Sequence, residues 1–165
     1  ELHSGTEILR ETGYPNAGEI MDKCLANADV LDLIDEDKEL QKILERLKDK
    51  FMLYLLTSSP KELSIKKLEK MGINPEIFNY MFFSDTPNIG SKGSGEAFNY
   101  VIREMGIEPS QHLYVGDRER TDVIPAKEKG METIRIGEES SASITIKNIK
   151  DIEEVLLWVK KSVLE

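Results

Sequence analysis

"LYVGDRERTDVIPAKEKGMETIRIG", residues 113–137, holds two short apolar runs with a polar, helix-forming stretch between them. Leu113 to Val115 reads as a strand that Gly116 interrupts, and the carboxylates of Asp117 and Asp122 follow at once. Residues of about 122 to 129 suit a helix that Gly130 closes, and "ETIRI" is a second strand. A strand, a helix and a strand in that order form the unit of a parallel α/β sheet, in which ligands bind beyond the carboxyl ends of the strands. Asp117 and Asp122 fall at such an end. Two readings are open for them: they share a hard cation through oxygen ligands, or Asp122 caps its helix while Asp117 supports a turn. Arg118 between them equally suits a solvated charge.

The same rhythm runs upstream. Residues 4–28 read as helical, with capping-box spacing at Ser4/Glu7 and Asn16/Glu19. Leu40, Ile43, Leu44 and Leu47 recur at helical spacing between Asp37 and Lys48. "FMLYLLT" (51–57) is apolar, too short for a helix and bounded by "SSP", which predicts a strand buried on both faces. Ser59, Pro60 and Glu62 open a helix that Gly72 ends. "YMFFS" (80–84) is another strand, the loop "DTPNIGSKGSG" follows, and residues 96–105 are helical with Phe98, Val101, Ile102 and Met105 on one face. A last amphipathic helix carries Ile152, Val155, Leu156 and Val159. The expected architecture is α/β, a Rossmann-like doubly wound parallel sheet.

Polar residues gather on one rim of that sheet. Thr57 ends a strand beside Ser58, and its hydroxyl with the following backbone N–H groups makes a small anion cradle. Helix capping is the plainer role there, and Ser59 already supplies it. Lys92 is a cation in a loop just before a helix, where most lysines are solvated. Asp85, at another strand end, is a candidate for a substrate or metal-loop contact.

Composition narrows the classes. The chain has 165 residues, enough for one compact domain, with 39% hydrophobic and 32% charged residues. A net charge of -9 argues against a phosphate-backbone binder, so no nucleic-acid partner is expected. Cys24 is alone, which excludes an internal disulfide. No apolar run approaches the roughly 20 residues of a membrane span, and no signal-peptide pattern opens the sequence; a cytoplasmic protein without a membrane partner is expected. His3 and His112 lack metal-ligand spacing to each other. Trp158 lies off the apolar stripe of its helix, and Lys66, Lys67 and Lys160 read as solvated. The first residue is Glu1, not Met, and the expectation is a processed or truncated piece.

"LYLLTSSP", "SKGSGEAFNYVIREMGIEP" and the segment quoted first stand in an order and spacing that resembles the haloacid dehalogenase superfamily. The resemblance covers roughly residues 30 to 160. One departure is Lys92-Gly93, where many members have Lys-Pro. The resemblance implies a Mg²⁺-dependent phosphatase acting on a small phosphomonoester through an aspartyl-phosphate intermediate. Thr57 and Ser58 would then bind the phosphoryl group, Lys92 would neutralise it together with the nucleophile, and Asp117 and Asp122 would hold Mg²⁺.

The family's nucleophile lies in an Asp-x-Asp motif on the first strand, and that motif is expected upstream of this chain. Residues 1–29 then read as the remnant of a small helical cap, and 30–165 as a core lacking its first strand. That strand belongs between the Thr57 and Asp117 strands. A preceding segment or a partner chain is expected to complete the sheet, unless the sheet rearranges. Asp35-Glu36-Asp37 has the motif's spacing, but Glu39 stands where the family has Thr or Val, and Asp35 is adequately explained as a helix N-cap. The alternative is a non-catalytic relative that binds phosphate or metal, or serves in an assembly. A dinucleotide-binding module is disfavoured, since no Gly-x-Gly-x-x-Gly follows a strand.

Overall fold

The computed structural model describes residues 5–27, 30–138 and 140–157. Two helices come first, α1 (Gly5–Glu11) and α2 (Ala17–Asn27), followed by α3 (Lys38–Lys48) and β1 (Tyr54–Leu56). Then come α4 (Lys61–Lys70), β2 (Tyr80–Phe82), α5 (Glu96–Met105) and β3 (Leu113–Gly116). α6 (Ile124–Glu128), β4 (Glu132–Ile136) and β5 (Ile144–Ile146) complete the strands, and residues 152–157 are helical.

All pairings are parallel, as the alternating pattern requires. β1 pairs with β2 (Leu55 opposite Met81), while β4 lies between β3 and β5 (Val115 opposite Ile134, Ile134 opposite Ile144). Among the described residues the strands form two separate sheets, a pair and a triple. A cavity of about 460 Å³ is lined by residues of both β1 and β3, including Leu53 to Leu56 and Leu113 to Val115. An apolar slot therefore lies between β1 and β3.

Side-chain alternation along the strands shows what spans this slot. Leu55 packs with Leu40 and Leu44 of α3, and Val115 with Ile43 and Leu47 of the same helix. On the opposite face, Tyr54 and Leu56 pack with Ala97 and Val101 of α5, while Tyr114 packs with Phe98 and Ile102. One helix on each face thus touches both half-sheets. These two bolts hold the halves in one three-layer body, with α4 on the α3 side and α6 on the α5 side.

Several details differ from the sequence reading. The helical stretch of residues 5–27 is divided into α1 and α2 where the chain turns at Gly13, whose φ is 92°. α1 and α2 pack chiefly against each other; a Cβ on Gly5 would lie 2.3 Å from the Met21 methyl carbon. β1 has only three residues and is half-buried, since a strand with one neighbour cannot be covered as a central strand is. β5 is an addition; "ITI" is too short to stand out from its serine-rich surroundings. Asp37, not Asp35, caps α3, accepting from the Leu40 N–H at 3.0 Å. Pro60 occupies the N-cap of α4 with no side-chain cap, so Ser59 does not serve there. Ser4, His3, Trp158, Val159 and Lys160 lie outside the described residues.

Candidate active site

The segment from Gly116 to Val123 builds the site. Glu119–Val123 is a π-helical turn that runs straight into α6, where Pro125 falls in the first turn and its missing N–H costs nothing. This turn brings Asp122 back over Gly116. A Cβ at Gly116 would lie 2.7 Å from the Asp122 Cβ, so only glycine permits the approach. Asp122 is 1% exposed, which makes its partners decisive. Its Oδ1 accepts from Lys92 Nζ at 2.5 Å and from the Tyr114 hydroxyl at 3.1 Å, and its Oδ2 accepts from the Arg118 N–H at 3.1 Å. Burial alone would raise the Asp122 carboxyl. The Lys92 charge and hydrogen bond, with the Arg118 amide and the Tyr114 hydroxyl, outweigh it, and the pKa falls below the ordinary carboxylate value.

Lys92 is no solvated loop lysine. Its side chain is 15% exposed, and Nζ also donates to the Tyr114 hydroxyl at 3.2 Å. The loop holding it is tied internally: Ser91 Oγ accepts from the Ser94 N–H at 3.1 Å, and the Gly95 N–H donates to the Lys92 carbonyl at 2.9 Å. Gly95 then enters α5 with φ of 78°, a conformation that disfavours other residues. At Gly93 an added Cβ would meet only the Thr121 methyl at 3.6 Å, ordinary contact, so the departure from Lys-Pro leaves the loop unobstructed.

Thr57 lies just past β1, its N–H donating to the Phe82 carbonyl at 3.0 Å. Its Oγ accepts from the Ser59 N–H at 3.1 Å, which leaves the hydroxyl proton free to donate outward. Ser58 beside it is exposed. Asp117 is exposed too, and its carboxylate accepts no hydrogen bond among the described residues. It is near enough for its charge to help raise the Tyr114 pKa, after burial and the Asp122 carboxylate. Its carbonyl accepts from Arg135 Nε at 3.4 Å, and Arg135 also pairs with Glu119 at 3.3 Å.

The remaining candidates have structural roles. Asp85 Oδ1 accepts from the Lys61 N–H at 3.0 Å and so caps the first turn of α4 from the neighbouring strand's loop. Asp37 stands far from the rim. Its N–H donates to the Met71 carbonyl, at the far end of the ten-residue α4 from Thr57, roughly 15 Å away along the helix. Its carboxylate pairs with Lys150 at 3.1 Å. His112 is buried with Nε2 at 3.2 Å from the Ile107 carbonyl, and Cys24 is exposed. Tyr114 is the member of the Lys92–Asp122 cluster that the sequence reading passed over. Its one signal was a hydroxyl inside an apolar strand.

For a hard cation, the donor set divides unequally. Asp117 offers an open carboxylate, whereas both oxygens of Asp122 already have partners. No cluster of three or more His, Cys, Asp or Glu fit for a metal exists among the described residues.

A family model described as haloacid dehalogenase-like hydrolase matches residues 4–136. The chain belongs to that family. Haloacid dehalogenase-like relatives include the glyceraldehyde 3-phosphate phosphatase of Methanocaldococcus jannaschii, 32% identical over 104 residues that cover 58% of this chain and 45% of the relative. The chain spans less than half the length of the curated relatives it matches. Among solved structures, the HAD phosphatase of Thermococcus onnurineus superposes with a TM-score of 0.63 at 28% identity, covering 73% of this chain and 57% of that one. The magnesium-bound YfnB of Bacillus subtilis gives 0.62 at 21% identity, covering 70% and 53%, and shares the fold.

Proposed function

We propose that this chain is the greater part of the core of a Mg²⁺-dependent phosphatase acting on a small phosphomonoester. One observation carries the reading: Lys92 pairs with the buried Asp122 at the end of β3, beside the exposed Asp117, while Thr57 stands at the matching end of β1. Phosphoryl transfer is catalysed mainly by positioning and charge neutralisation, and these are the groups it needs. The Thr57 hydroxyl and the Ser58 N–H receive phosphoryl oxygens, and Lys92 offsets their charge. Asp117 and Asp122 would hold Mg²⁺, directly or through water, and the ion, when bound, would neutralise the phosphoryl group further.

The nucleophilic carboxylate comes from a strand that enters the slot between β1 and β3, supplied by a preceding segment of the same protein or by a partner chain. It attacks phosphorus as the P–O ester bond breaks and the second carboxyl of the Asp-x-Asp motif on that strand protonates the departing oxygen; the same carboxylate then takes a proton from the water that cleaves the aspartyl phosphate, releasing inorganic phosphate. Residues 5–27 serve as part of a cap over the rim, which suits small substrates. The relative's name, glyceraldehyde 3-phosphate phosphatase, makes a triose phosphate the first substrate to try.

The test is hydrolysis of an aryl phosphate and of glyceraldehyde 3-phosphate by the full-length protein, with Mg²⁺, with chelator, and with Asp117→Asn. Turnover that needs Mg²⁺ and disappears in the variant supports the reading. A folded full-length protein that binds inorganic phosphate but never turns over would replace it with the binding-only alternative.

A further inference from the structure

Tyr114 has a hydroxyl where its strand needs none. Leu113, Tyr114 and Val115 form an apolar run, and Phe would fill the same space against Phe98, whose ring centroid lies 4.9 Å away edge-on. The hydroxyl instead points into the Lys92–Asp122 pair, accepting from Nζ at 3.2 Å and donating to Oδ1 at 3.1 Å. The strand's alternation puts Tyr114 and Gly116 on one face, so Asp122, seated over Gly116, also comes within reach of the Tyr114 hydroxyl. Lys92 has a flexible four-carbon stem and three donors, and a single carboxylate oxygen fixes its distance but not its direction. A second, rigidly mounted acceptor on the strand fixes both.

We infer that Tyr114 is a positioning residue that holds the Lys92 ammonium in the orientation the phosphoryl group requires. This rests on the phosphatase reading for its catalytic consequence, but not for the geometry. In β3 the ring is clamped by Phe98 on α5, the helix that the Lys92 loop leads into. The strand and the loop are therefore tied through one side chain at two points, ring and hydroxyl.

The experiment uses the full-length protein and Tyr114→Phe, which keeps the ring and removes one oxygen. Limited acetylation of surface amines, read by peptide mass spectrometry, reports how freely Lys92 reacts relative to the exposed Lys61. Lys92 labelling is expected to rise several-fold in Tyr114→Phe while Tm stays close to wild type. In Tyr54→Phe, a second tyrosine lining the slot, labelling stays unchanged. Turnover of the aryl phosphate is expected to fall about tenfold in kcat with KM little changed, the worth of one hydrogen bond. That loss should vanish in a Lys92→Met background, since the hydroxyl acts through the lysine. Unchanged Lys92 labelling in Tyr114→Phe, or a kcat loss that persists without Lys92, overturns the inference. If the wild-type protein shows no turnover at all, the phosphatase reading fails, and the labelling result still decides the role of Tyr114.

Discussion

β1 and β4 invert what their sequences suggest. β1, "YLL", sits in the most apolar run of the chain, yet all three residues are only half-buried. β4, "ETIRI", carries a Glu, a Thr and an Arg, yet Thr133 is 0% and Ile134 1% exposed. The cause is neighbours. β4 has a strand on each side, and Thr133 Oγ accepts from the Ser143 N–H at 3.2 Å, so even its polar atom is satisfied. β1 has β2 on one side and the slot on the other. A strand with one neighbour leaves its apolar residues half-covered, which is why β1 is less buried than the more polar β4.

The sharpest way to break this contrast is at the pair that faces the slot's rim. Lys92→Met leaves Asp122 buried without its cation and is expected to cost about 3–5 kcal/mol in urea unfolding. A loss near zero would mean that the half-sheet bearing Asp122 is not closed around it. Ile134→Ala should cost about 3 kcal/mol through its cavity, against about 1 kcal/mol for Leu55→Ala in residues 1–165 alone. Supplying the proposed completing strand should raise the second figure toward the first; equal costs in both forms would remove the slot as an explanation.

Acid offers a gentler probe. Since the Asp122 pKa lies below its unfolded value near 3.8, its contribution is present above that pH and lost as pH falls through the folded value. Unfolding followed by circular dichroism should show stability dropping below about pH 4 in wild type, and a shallower drop in Asp122→Asn. Smallest of all is Asp37→Ala, which removes the α3 cap on the side away from the rim. It should lower Tm slightly and leave turnover unaltered. A strong loss of turnover there would revive the Asp35-Glu36-Asp37 stretch as part of the site.

Much of this could be read in the residues. Gly116, Asp117 and Asp122 marked the rim because a tight approach and two acids coincided at a strand end. α3 and α5 were legible from their 3.6-residue stripes, and their stripes are the faces that now span the slot. The partnership of Lys92 with Asp122 was not legible from spacing, because thirty residues separate them and only the π-helical turn aims the carboxylate back. Asp85 looked like a site residue for the same reason that it caps α4: strand ends and helix starts share one rim. Tyr114 escaped notice because, in sequence, a tyrosine in a strand is as ordinary as a phenylalanine.

The slot also bears on how the protein reaches its native state. Each half-sheet is assembled from elements close in sequence, β1–α4–β2 on one side and β3–α6–β4–β5 on the other, and such local contacts form quickly. The strand that would join them must find two edges that are remote from each other along the chain, with most of its loop-closure cost due before any reward. Under the proposed completion its entry would be the slow step of folding, and until then two halves with open edges would stand exposed to a chaperone or a neighbouring copy.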